Sequence, residues 1–145
     1  MFFPATIALL GLLAADPFVG TWKLERAKST GTLPKEELVE IQERGKMLAV
    51  TVTIVLPGAD DKTLRIRYSA PAAGGAGQVA EGPYNGVVLR RIDTKTMETV
   101  YLMDGKENRS MSVVIAKDGK SMISNGRSLG SGEPVEWNMC FEKQR

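Results

Sequence analysis

From Asp16 to the C-terminus, apolar side chains recur at every second position. Leu48, Val50, Val52, Ile54 and Leu56 fall on one parity, with Ala49, Thr51, Thr53 and Val55 on the other. A strand sends successive side chains to opposite faces, so this period of two describes a strand with one face turned to a core. The same alternation runs through Leu64, Ile66 and Tyr68 against Thr63, Arg65, Arg67 and Ser69, and again through Val135, Trp137, Met139 and Phe141 against Glu136, Asn138, Cys140 and Glu142. Further runs cover 87–92, 97–103, 109–116 and 121–127. β-branched residues dominate them, as strands prefer. Residues 35–44 fit a short helix after Pro34 or a strand, and the alternation of Leu38, Glu40 and Gln42 with Val39, Ile41 and Glu43 favours the strand.

The breaks between runs are short. Arg44-Gly45-Lys46 and Asp93-Thr94-Lys95-Thr96 read as tight turns, and Asp104-Gly105 and Asp118-Gly119 carry the pair that suits a primed hairpin turn. Strands joined in sequence order by tight turns make an antiparallel up-and-down meander. Roughly eight to ten strands in one domain favour a closed barrel, because closure removes exposed edges. The fold class is therefore all-β, and residues 16–145 form one barrel domain. The segment 70–77, rich in Ala and Gly, reads as a flexible loop at the barrel mouth; it lacks the Gly-Lys-Ser/Thr and the following helix of a phosphate loop.

Composition narrows the chemistry. The chain has no His and one Cys, Cys140, so His-based catalysis, an internal disulfide and a Cys-rich metal site are all excluded. Nineteen basic residues nearly balance 17 acidic ones and are scattered, which gives no track for a nucleic-acid backbone. Cys140, in a strand-like run, reads as a half-buried small hydrophobe. Carboxylates are the catalytic class left open, but Glu36-Glu37 and Asp60-Asp61 are sequence neighbours and would not share a strand face, and both pairs read as structural. An acid inside the barrel beside a cavity would strengthen the case for an enzyme. No metal or cofactor is expected.

Residues 1–15 read as a secretory signal: Ile7–Leu13 suits an apolar core, and Ala14-Ala15 offers a small-residue cleavage point before Asp16. The run is too short to span a bilayer, which needs about 20 apolar residues. The expectation is an exported protein, periplasmic or secreted, with no membrane span once the signal is removed. Arg65 and Arg67 read as a solvent-facing pair or, were their face turned into the barrel, as cations able to meet an anionic ligand head group. Tyr68, Tyr101, Arg109 and Trp137 are the candidate ligand-contacting residues, the tyrosines offering a flat apolar body with one hydroxyl.

Gly20-Thr21-Trp22, at the head of the first strand, resembles the Gly-x-Trp that opens lipocalin and lipocalin-like barrels. The wider stretch from Asp16 to Leu24, with Ala27-Lys28-Ser29, the Lys117-Asp118-Gly119-Lys120 hairpin and the ending Phe141-Glu142-Lys143-Gln144, resembles small exported bacterial proteins of lipocalin-like type rather than classical lipocalins. The resemblance implies that Gly20 permits the bend into the strand and that Trp22 plugs one end under an Arg from a late strand, Arg109 or Arg127. It implies a barrel that takes a small hydrophobic or amphipathic ligand. Met97, Met103, Met111 and Met139 would suit an irregular guest. The alternatives are a filled barrel acting as a cell-envelope interaction module, and an enzyme built on internal carboxylates.

Overall fold

The computed structural model describes residues 15–58, 60–130 and 134–145. Among them lie eleven strands: β1 (Gly20–Leu24), β2 (Thr30–Gly31), β3 (Glu36–Arg44), β4 (Met47–Val55), β5 (Thr63–Pro71), β6 (Gly75–Glu81), β7 (Gly86–Asp93), β8 (Thr96–Met103), β9 (Lys106–Ile115), β10 (Ser121–Ser128) and β11 (Val135–Lys143). A single 3-10 turn, Arg26–Lys28, follows β1. From β3 to β11 each strand pairs antiparallel with the next, and β1 closes the ring by pairing with both β3 and β11. The result is a closed ten-stranded up-and-down barrel, with β2 laid against β11 as a short addition. Residues 35–44 are strand, as the alternation predicts. The signal segment lies, apart from Ala15, outside the described residues, and no described helix is long and apolar enough to cross a membrane.

Alternation fixes which face is inside. On β4 the even positions Leu48, Val50, Val52 and Ile54 are buried and the odd ones half-exposed. On β5, Ile66 and Tyr68 point inward, and Arg65 and Arg67 lie on the outer wall, where Arg67 faces Glu81. Cys140 is half-buried on the outer face between the inward Met139 and Phe141. One core fills the barrel, running from Phe18 and Trp22 through Val39, Leu48, Leu89 and Met97 to Trp137 and Phe141. Met97 and Met139 are buried, and Met111 packs partly buried against the same core. Met103 is instead exposed, because it sits at the last position of β8 beside the hairpin.

Two expectations change. The segment 70–77 is not a loop: Ala70 and Pro71 end β5, and Gly75, Ala76 and Gly77 begin β6. Its glycines reflect close strand approach rather than freedom, since a Cβ on Gly77 would collide with the Ser69 carbonyl and come within 2.7 Å of the Ala70 side chain. The second change concerns the Asp-Gly pairs. Asp104-Gly105 makes the primed turn, with φ of 53° and 79°. At Asp118-Gly119 only the glycine has positive φ. There the Ala116 carbonyl accepts from the Gly119 N–H and the Asp118 carboxylate accepts from the Lys120 N–H, so a longer loop with a single left-handed residue joins β9 to β10.

The barrel end that carries the β5–β6, β7–β8 and β9–β10 turns is plugged. Trp22 is fully buried and its indole N–H donates to the Phe18 carbonyl at 3.0 Å. Arg91 lies over the Phe18 ring, 5.0 Å from its centroid, and grips Asp16 with two hydrogen bonds of 2.8 and 3.0 Å. Its remaining contacts go to the carbonyls of Ala72, Asp93 and Thr94, so all five guanidinium N–H groups have acceptors.

Candidate functional site

Toward the opposite end, the same inward parity delivers polar side chains into an apolar interior. β3 contributes Glu37, β5 Tyr68, β8 Thr99 and Tyr101, β9 Arg109, β10 Ser124 and β11 Trp137. Tyr101 and Arg109 are direct partners across the β8–β9 pair. Tyr68 meets Tyr101 edge to face at 5.8 Å, and Tyr84, from the turn between β6 and β7, stacks on Tyr101 at 4.6 Å. The Arg109 guanidinium covers the Trp137 indole at 4.3 Å, and the indole N–H donates to the Ser124 hydroxyl. Gly126 makes room for that indole: a Cβ there would strike the ring and lie 2.6 Å from the Ser110 carbonyl.

These side chains line, or stand beside, an interior cavity of about 70 Å³. Most of its wall is aliphatic, from Val39, Val50, Val52, Ile54, Ile66 and Met111, and its polar lining comes from Glu37, Tyr68, Thr99, Tyr101, Arg109 and Ser124. Two atoms are unusual. Glu37 Oε1 and Arg109 Nε are buried and find no hydrogen-bond partner among the described residues. The two charges also fail to approach within the 4.0 Å of an ion pair. Burial pushes the Glu37 carboxyl up to about 7, and the Arg109 guanidinium pulls it partly back. Burial likewise pushes the Tyr68 phenol up to about 12 and Tyr101 well above the usual phenol range. Neither tyrosine is a ready base at neutral pH.

The structure gathers Tyr68, Tyr101, Arg109 and Trp137 inside one half of the barrel. Trp137 borders the cavity through Arg109 rather than lining it. Gly20 and Trp22 stand at the plugged end, as the Gly-x-Trp resemblance implies, but neither expected arginine covers Trp22. Arg109 lies over Trp137 instead, and Arg127 is exposed on the outer wall, because β10 turns Met122, Ser124 and Gly126 inward. The cation over Trp22 is Lys143, at 5.4 Å. Glycine suits position 20 because its φ is +147°, a conformation L side chains rarely adopt; a Cβ would also lie 2.7 Å from Lys143 Cε and displace that side chain.

Sequence reasoning also misses Glu37 as an interior group. Adjacency tells only that Glu36 and Glu37 face opposite ways; the parity of Val39 and Ile41 carries the signal that Glu37 shares the core face. Lys143 is legible in the same manner, sharing parity with Trp137, Met139 and Phe141. Among the described residues no three His, Cys, Asp or Glu side chains gather to hold a metal. Glu37 and Arg109 can together accept and donate hydrogen bonds to a small polar group set in an apolar chamber. No protein-family model matches the chain, and no match is found among curated proteins. What the geometry shows is an all-β, closed, ten-stranded antiparallel meander barrel, consistent with a lipocalin-like fold.

Proposed function

We propose that this protein is an exported, lipocalin-like, non-enzymatic barrel that binds a small amphipathic molecule in its interior. The observation that carries the reading is the pair of buried, unpartnered polar atoms, Glu37 Oε1 and Arg109 Nε, at an otherwise aliphatic cavity. Buried polar groups are nearly always hydrogen-bonded, and an orphan costs about 1–3 kcal/mol, more when charged. A guest that partners both atoms recovers that cost, while its apolar part rests on Val39, Ile54 and Ile66. Glu37 is an interior acid at a cavity, the observation that strengthens the case for an enzyme, but the phenols beside it are pushed up and Arg109 cannot act as a base, which favours binding. Export rests on the sequence, the apolar run 7–13 followed by the small-residue point Ala14-Ala15 before Asp16.

Displacement of an environment-sensitive dye by a panel of short and medium-length amphiphiles, with Trp137 fluorescence as a second readout, tests the reading. Saturable displacement lost in Arg109→Met supports it. A second reading, the filled interaction module, is favoured by the small cavity, about half of the ~150 Å³ that holds a benzene ring in an engineered site. It is the one retained if nothing in the panel binds and the protein self-associates instead.

A further inference from the structure

Resting on the cavity as a binding site, we infer that the group it receives is a neutral head carrying one hydrogen-bond acceptor and one donor, of the carboxamide class, on a short apolar tail. The two orphan atoms are of opposite kind. Arg109 Nε is an N–H that lacks an acceptor, and Glu37 Oε1 is a carboxyl oxygen that lacks a donor. They line the same cavity and do not come within the 4.0 Å of an ion pair, so neither partners the other. An amide presents both complements from adjacent atoms: its carbonyl oxygen accepts from Arg109 and its N–H donates to Glu37.

Charge selects against the alternatives. With Glu37 ionised, the carboxylate and the guanidinium cancel, so any whole charge brought by a guest would be buried without compensation. A carboxylate head would satisfy Arg109 but face the Glu37 carboxylate. An ammonium head would satisfy Glu37 but face the guanidinium. The neutral head meets both without a clash. The cavity of about 70 Å³ limits the tail to a few carbons against Ile54, Ile66 and Met111.

The test holds the tail constant and varies the head. Isothermal titration of the full chain with n-butyramide, n-butyrate and n-butylammonium is run above the Glu37 pKa of about 7. The amide is expected to bind at least about tenfold more tightly than either charged analogue, the scale of one charge-assisted hydrogen bond. In Glu37→Gln, whose amide can donate to a carboxylate, the preference over n-butyrate should collapse. The head series on the unaltered protein decides the matter even if that variant is poorly folded. Butyrate or butylammonium binding as tightly as the amide overturns the head-group assignment and leaves the binding site standing. If none of the three binds, nor their hexyl homologues, water alone fills the cavity, and both the assignment and the binding reading fall.

Discussion

Arg91 and Arg109 both enter the barrel from its wall with an aromatic ring beneath the guanidinium, Phe18 at 5.0 Å for one and Trp137 at 4.3 Å for the other. Around Arg91 every donor is answered, two by the Asp16 carboxylate and three by carbonyls. Around Arg109 the buried Nε is unanswered, and Glu37, which lines the same cavity, stays beyond ion-pair reach with an unpartnered oxygen of its own. The same chemical parts thus make a finished plug at one end and an unfinished polar site at the other. Saturation separates an arginine whose donors are all used from one that keeps a buried donor unused.

That contrast can be broken first at the plug. Trp22→Ala empties the largest fully buried side chain and should cost about 3–5 kcal/mol in denaturant unfolding. Next comes pH. Because folding raises Glu37 from an ordinary 4.5 to about 7, the folded protein binds its proton more tightly than the unfolded chain. Stability from this group is full below 4.5 and is lost as pH rises to about 7 and beyond, by about 3 kcal/mol at ~1.4 kcal/mol per pH unit. Urea midpoints measured across that window should fall in the native protein and stay nearly flat in Glu37→Gln. A rising midpoint would place Glu37 in a paired, not an orphaned, setting.

Smaller effects sharpen the comparison of the two arginines. Arg91→Met leaves the Asp16 carboxylate largely buried and unpaired and should cost about 2–3 kcal/mol. Arg109→Met, measured below pH 4.5 where Glu37 is neutral, should change stability by less than about 1 kcal/mol, since it removes an orphan donor together with a cation–π contact. Equal costs at the two positions would erase the distinction between plug and site. Each variant is read by equilibrium unfolding at matched pH.

The strands were legible because hydrophobic parity survives in the sequence wherever one face is buried, as on β4 and β11. β6 escaped because its glycines and alanines carry no apolar alternation; what fits them there is the closeness of the neighbouring β5 backbone, a tertiary fact. Tyr68, Tyr101, Arg109 and Trp137 could be named, but their meeting depends on register across the seven strands from β5 to β11, which turn lengths set and no single run displays. Glu37 was the harder case. Its residue type argues for solvent, and only the parity of its strand argues for the core.

Closure of the ring has a kinetic side. Every strand pairing from β3 to β11 links chain neighbours, whereas β1 must join β11, matching Trp22 with Lys143 near the far end of the sequence. At that seam, and at the β2–β11 pairing beside it, loop-closure entropy is large, and neither can form until the last strand has been synthesised. Until then the edges of β1 and β10 lie bare, open to pairing with other chains. The seam also sets the first and last strands side by side, with the Gln144 N–H donating to the Thr21 carbonyl. A circular permutant opened at the Asp104-Gly105 hairpin would move the slow step there, turning the old seam into an ordinary local hairpin.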